Sequence, residues 1–257
     1  MEVIRNVGKW GNSAGVLLPR EWLGSRVKIE IVEDGKDIKK EILGMLEPYL
    51  EDLLGVYLTG SHARGEQEDD SDVDIIAISK SIKKEIISGR YRISIAPLES
   101  IRKSLKSNPI LILPRIMEAK VILNRQLLDE LSLKNLSAKD FLGYFKETKR
   151  IMSINKEFIK LDKEDSQNLE SEGVIYSLIL RLRGMYIIGS LLEKKVYSKK
   201  GFLRFLENGL SKKDVLLVYS LYKKIRDNIK TGRRSIKIKT AQKLMDLLST
   251  EVNKYDK

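Results

Sequence analysis

The stretch Val56–Ser79, VYLTGSHARGEQEDDSDVDIIAIS, holds the residues whose types and spacing could do chemistry. Asp72 and Asp74 stand two apart, so in an extended strand both carboxylates project from one face. Two such groups can jointly hold Mg²⁺ or Mn²⁺, hard cations that take oxygen ligands. Gly60-Ser61 lies where a strand gives way to a helix, and a helix N-terminus offers backbone N–H groups and its dipole to a phosphate. Gly60 has no side chain to keep such a group away. Arg64 can meet phosphate oxygens with a planar fork of donors. Side by side, these parts suit a divalent cation and a triphosphate. His62, the single histidine of the chain, sits among them and is expected to face solvent or cap the turn.

Composition removes other chemistries. The 257 residues include no cysteine, which excludes disulfides, thiolate zinc sites and a thiol nucleophile. One histidine excludes a histidine-rich metal centre. No apolar run approaches the ~20 residues of a membrane span, since PILILPRIM (109–117) is broken by proline and arginine. MEVIRNVGKW lacks the apolar core of a signal peptide, so a cytoplasmic protein without membrane contact is expected. With 42% apolar and 33% charged residues, the chain has material for one large domain or two to three small ones.

The elements that must position the motif follow from hydrophobic period. Residues 38–54 repeat as a helix, GVYLTG (55–60) and DVDIIAIS (72–79) as strands, RYRISIAP (90–97) as a third strand and KVILN (120–124) as a fourth. Helices are expected at about 80–87, 98–106 and 110–118. Before them, EVIRNV (2–7), VLL (16–18) and VKIEIV (27–32) read as short strands around a one-turn helix, PREWLG. Some 34 residues of this kind cannot bury enough surface to fold alone. After about 137 the chain is helical by period, with Ser137 and Ser211 as N-caps, and five helices on short links suggest an up-and-down bundle. The expected class is α+β: a small β module (1–34), an α/β domain with a mixed sheet (35–131) and an all-α bundle (132–257).

Net charge is zero over 1–34, −1 over 35–131 and +13 over 132–257. Such a bundle attracts anions, nucleic acid among them, unless its lysines are simply a solvated surface of the heat-adapted kind.

The composite G-S-x-A-R-G, with ten residues (62–71) between Ser61 and the S-D-[VIL]-D element, resembles the minimal nucleotidyltransferases of the DNA polymerase beta superfamily. That resemblance implies that Gly60 and Ser61 bind a nucleoside triphosphate and that Asp72 and Asp74 hold one or two Mg²⁺ ions. It implies in-line attack of an acceptor hydroxyl, of a protein or small molecule, on the α-phosphorus with loss of pyrophosphate. The family usually adds a third carboxylate from the strand matching RYRISIAP, and the expected position, Ser94, has none. Glu99, the nearest acid downstream, lies past Pro97 beyond the strand and is not expected to substitute; Glu85 and the loop acids Glu66, Glu68, Asp69 and Asp70 are other recruits, none favoured by spacing.

Residues 3–33 are similar to swapped-hairpin DNA-binding modules of the AbrB/MazE type through Lys9, Trp10, Gly11, Asn12, Ser13, Gly15, Pro19 and Arg20. The resemblance implies two interleaved chains, hence a homodimer or higher even oligomer, and makes Arg5, Lys9 and Arg20 candidate DNA contacts. Zero net charge is low for a DNA binder. Trp10 and Trp22 are expected to pack rather than stack on bases. In the bundle, R-x-R-x-x-Y (181–186), KKVYSKKGF (194–202) and VYSLYKKIRDN (218–228) resemble the helical domain attached to minimal nucleotidyltransferases, which is related to HEPN bundles. The absence of histidine after His62 excludes the R-x(4)-H pair of HEPN ribonucleases. Lys199, Lys200, Arg226, Arg233 and Arg234 could line a cleft. Tyr176, Tyr186, Tyr219 and Tyr222 read as core with phenols at its edge. Two functions stay open: a Mg²⁺-dependent nucleotidyltransferase, and a DNA-binding regulator or antitoxin-like protein with a nucleotide-binding or degenerate transferase domain.

Overall fold

The computed structural model describes residues 3, 5, 7–30, 38–68, 71–132, 135–229 and 236–255, and only the backbone of Lys9 and Asp165. The chain forms two compact units, Met1–Gly44 and Met45–Lys257. The expected boundary at 34/35 lies outside the described residues, and from residue 45 onward the sheet and the helices belong to one unit.

In the first unit, β1 (Gly8–Trp10) and β2 (Ser13–Gly15) form a hairpin with Trp10 opposite Ser13. The ring of Trp10 lies over Gly15, where an added Cβ would stand 3.1 Å from it. A 3₁₀ turn, Arg20–Trp22, follows where the one-turn helix was expected. The expected strand VLL is not one: Leu17 and Leu18 are 70% and 37% exposed, because a single hairpin gives them no second strand to cover. Residues 27–30 are likewise unpaired, and most of the expected strand 2–7 lies outside the described residues. Trp10, expected to pack, is 59% exposed.

Helix α1 (Ile38–Leu46) gives way at Glu47–Asp52 to a 3₁₀ segment. Pro48 lacks the N–H an α-helix needs there, so the helix expected to reach residue 54 stops early. The second unit is built on a five-stranded sheet. Its strands are β3 (Leu53–Thr59), β4 (Val73–Ser79), β5 (Lys84–Ser88), β6 (Tyr91–Pro97) and β7 (Lys120–Leu123), in the order β5-β6-β4-β3-β7. Only the β4–β6 pair is parallel, so the sheet is mixed as expected. Between β3 and β4 lies the five-residue helix α2 (Gly60–Arg64).

Strand β5 corrects the helix expected at 80–87. Ile82 and Ile86 share a helical spacing, but Ile86 and Ile87 are β-branched. Gly89, at φ +55°, closes a two-residue turn that sets Ser88 opposite Tyr91. Helix α3 (Leu98–Ser107) matches its expected span, and the helix expected at 110–118 divides into a 3₁₀ turn and α4 (Leu113–Glu118). Helix α5 (Arg125–Ser132), which buries Leu127, Leu128 and Leu131, was not foreseen.

The helical part comprises α6 (Leu142–Asp165), α7 (Glu172–Leu192), α8 (Lys199–Leu206), α9 (Lys212–Arg226) and α10 (Ile238–Asn253). Ser211 caps α9 as expected by accepting the N–H of Asp214, and Ser137 donates its own N–H to Asp140 in a capping box. A short pair, β8 (Asn168–Leu169) with β9 (Ile236–Lys237), ties the start of α7 to that of α10. Helix α7 packs on α6, α9 and α10. By length and composition alone it could cross a membrane; here it is the central core helix, burying Ile175, Leu178, Ile179, Leu182 and Ile188 among others.

Candidate nucleotide site

The two halves of the G-S…D-x-D motif meet because β3 and β4 are antiparallel neighbours, with Thr59, just before Gly60, opposite Asp74. Gly60 has φ +72°, and a Cβ there would stand 2.5 Å from Asp74 Oδ2, so the carboxylate rests directly over the glycine backbone. Burial raises the proton affinity of Asp74 above its ordinary value; Arg115 opposes the rise and the negative charge of Asp72 adds to it. Asp72, 45% exposed, accepts a 2.6 Å hydrogen bond from Nε of Arg92. His62 Nε2 lies 3.4 Å from the Ser71 carbonyl oxygen, holding the two ends of the acidic loop together.

The sheet register places Ser94, the expected third position, away from the level of Asp74. On β6, Arg92 and not Ser94 stands level with Asp74; Ser94 lies opposite Ile76, two residues along the strand. At roughly 3.3 Å per residue, that puts Ser94 a full side-chain level from the carboxylate pair. The β6 side chain level with Asp74 is thus an arginine.

Glu118, at the end of α4, was not singled out from sequence. It is 5% exposed, accepts the N–H of Gly60 at 2.7 Å and binds Nη1 of Arg64 at 2.5 Å. The groups expected to serve phosphate are therefore already engaged by one carboxylate. A signal existed: an acid in the last turn of an apolar helix opposes the helix dipole and implies a partner elsewhere. Arg64 also binds Glu66 at 2.9 Å; burial works against its charge, and the hydrogen bonds and negative charges of Glu66 and Glu118 outweigh that and hold the guanidinium charged.

The opposite wall comes from the bundle. Glu66 accepts the Ser198 hydroxyl and the Lys199 N–H, each at 3.0 Å. Glu68 accepts from Nζ of Lys199 and, at 3.0 Å, from Nζ of Lys223; the two ammonium groups hold its carboxyl down at about 2. Arg183, half-buried, lies 4.9 Å from the Tyr197 ring centre and donates to its hydroxyl at 3.3 Å. Among the described residues no carboxylate pairs with Arg183. Tyr219 and Tyr222 stand near it, and burial pushes the Tyr219 phenol up to about 12. These groups and the motif line one cavity of about 640 Å³, which gathers Gly60, Ser61, Arg64, Asp72 and Asp74 as expected from spacing. Lys199 and Arg226 also line it; Lys200 does not, and Arg233 and Arg234 lie outside the described residues. Arg5 and Arg20 are exposed in the first unit, and the Lys9 side chain is not among those described.

The donor set suits one divalent cation. Asp72 and Asp74 supply carboxylate oxygens from one face, and Mg²⁺ is commonly held by one or two carboxylates plus substrate phosphates. Among the described residues no group of three or more histidines and acids gathers to hold an ion unaided.

Two interior strands joined in this way, with G-S opening a short helix after β3 and D-x-D at the start of β4, are the arrangement of a nucleotide-handling class of protein. Residues 38–175, more than half of the chain, match the family model described as a nucleotidyltransferase domain, and the protein belongs to that family, which moves a nucleoside monophosphate from a nucleoside triphosphate. Residues 2–35 match the family model DUF2080, named for a supposed transposon-encoded protein. No curated protein matches the chain. Among solved structures, a nucleotidyltransferase-like protein from Exiguobacterium sibiricum is 14% identical with TM-score 0.36, covering 84% of this chain and 73% of its own. Spectinomycin adenyltransferase AAD(9) from Enterococcus faecialis, solved with ATP and spectinomycin, is 14% identical with TM-score 0.42, covering 85% of this chain and 98% of its own.

Proposed function

We propose that residues 45–257 form a divalent-cation-dependent transferase that moves the nucleoside monophosphate of ATP or another triphosphate onto a hydroxyl of a protein or small molecule, releasing pyrophosphate. The carrying observation is the carboxylate of Asp74 resting over Gly60, beside Asp72, in a cavity with cationic walls. Asp72 and Asp74 would hold Mg²⁺ or Mn²⁺, which when bound neutralises phosphate oxygens and polarises the phosphorus. Glu118, by fixing the Gly60 N–H and Arg64, sets the floor of the site. Ser61 stands at that floor, while Arg115 and Arg183 supply positive charge to a triphosphate from the walls. Phosphoryl transfer of this kind depends mainly on positioning and charge stabilisation, so the lack of a third acid at Ser94 slows the reaction without abolishing its basis.

Calorimetry of ATP and GTP with Mg²⁺ tests the reading on the wild type and on Asp72→Ala/Asp74→Ala. Micromolar binding that disappears in the double variant is expected. A wild type that binds neither nucleotide would end this reading.

A second reading concerns residues 1–44, where Trp10, Leu17, Leu23 and Ile29 are all more than half exposed. We infer that a second copy of the chain covers them, with DNA as the partner class that Arg5, Lys9 and Arg20 would meet. Light scattering on the full chain should give an even multiple of 29.5 kDa. A monomer at all concentrations excludes the pairing, and duplex binding that is steep in salt and survives Asp74→Ala would identify the DNA contact.

A further inference from the structure

We infer that Arg92, bonded to Asp72 from beside the nucleotide cavity, acts as a resident second cation and limits Asp72 and Asp74 to a single divalent ion per bound nucleotide. The inference rests on the transferase reading and extends it to ion stoichiometry.

The argument starts from the sheet. Asp74 on β4 is level with Thr59 on β3 and with Arg92 on β6, and Arg92 in turn is level with Ile87 on β5. Across four strands this level carries one carboxylate and one guanidinium. Asp72, just ahead of β4, adds the second carboxylate, and Arg92 Nε already bonds it at 2.6 Å. Glu118 cannot join, since both of its oxygens are engaged by Gly60 and Arg64. Two paired ions in a phosphoryl-transfer site sit some 3.5–4 Å apart and share carboxylate ligands. Here a permanent positive charge occupies one of the oxygens such sharing requires, and arginine stays charged at any working pH. Asp72, Asp74 and Arg92 together carry a net charge of −1, and Arg115 adds positive charge near Asp74, so the pair favours one dication beside the triphosphate and disfavours another against the guanidinium. Arg92 is thus a positioning residue that sets how many ions Asp72 and Asp74 take.

Counting bound Mn²⁺ by electron paramagnetic resonance tests this, using the full chain saturated with a non-hydrolysable ATP analogue. The wild type should hold one ion per nucleotide and Arg92→Glu two. Arg92→Gln should hold one ion roughly two- to fivefold more tightly, the size expected when a half-exposed ion pair no longer competes. Two ions in the wild type, or one in both the wild type and a folded Arg92→Glu, overturn the inference and leave the transferase reading standing. Should Arg92→Glu not fold, unchanged Mn²⁺ affinity in Arg92→Gln overturns it equally. A wild type that retains no nucleotide overturns both.

Discussion

Asp74→Asn is expected to raise the melting temperature of the nucleotide-free protein while lowering kcat by on the order of 10²–10³-fold, the scale of losing one preorganised charged group at a reacting centre. The two effects share one cause. Burial in the strand junction disfavours the ionised carboxylate, and Asp72 adds repulsion that Arg115, Arg92 and Arg64 do not fully offset. The folded-state proton affinity is therefore above the ordinary value of 3.8. Below that pH both folded and unfolded chains hold the proton and the site costs no stability. As pH rises through 3.8 and then through the higher folded value, the unfolded chain releases its proton more readily. Stability falls to a plateau reached above the folded value. Asparagine removes this loss, so its thermal advantage should be absent in acid and grow toward neutrality. Differential scanning calorimetry across that range, beside single-turnover kinetics, checks both halves. Equal melting temperatures at neutral pH would show that the buried carboxylate carries no such cost.

Glu118→Ala should produce the largest loss of stability among the site substitutions. Arg64 and Glu118 side chains are 15% and 5% exposed, so removing the acid strands a buried guanidinium and leaves the Gly60 N–H without its acceptor. Breaking a buried pair from one side costs about 3–5 kcal/mol. The lower part of that range is expected, because Arg64 keeps Glu66. Glu118→Gln retains an acceptor for Gly60 and should cost less. Urea unfolding at constant m measures both. A loss below about 1 kcal/mol for the alanine variant, the worth of a surface pair, would remove Glu118 from its assigned role.

The motif was legible in sequence because all its parts fall within one strand–helix–loop–strand segment, and the strands that carry it are apolar runs bounded by Gly60, Pro97 and polar turns. What came from elsewhere was not. The offset between parallel neighbours β4 and β6 is set by packing rather than by local pattern, so that Arg92 and not Ser94 is level with Asp74 could not be read from the sequence. Glu118 reaches Gly60 across 58 positions. Glu66 and Glu68 looked like recruits for a metal, yet their charges go to Lys199 and Lys223 some 130 or more residues away. Helix α5 and strand β5 were missed or misassigned because a short amphipathic segment supports either period. In the N-terminal unit the apolar pattern suggests strands at 16–18 and 27–32, and among the described residues 16–18 and 27–30 form none.

The loop that joins Arg64 to Asp72 is held at Glu66 and Glu68 by Ser198, Lys199 and Lys223. Recombination between relatives is constrained accordingly. A helical segment acquired from another lineage would arrive without cations matched to this loop, so exchanging the helices without the loop should cost these contacts.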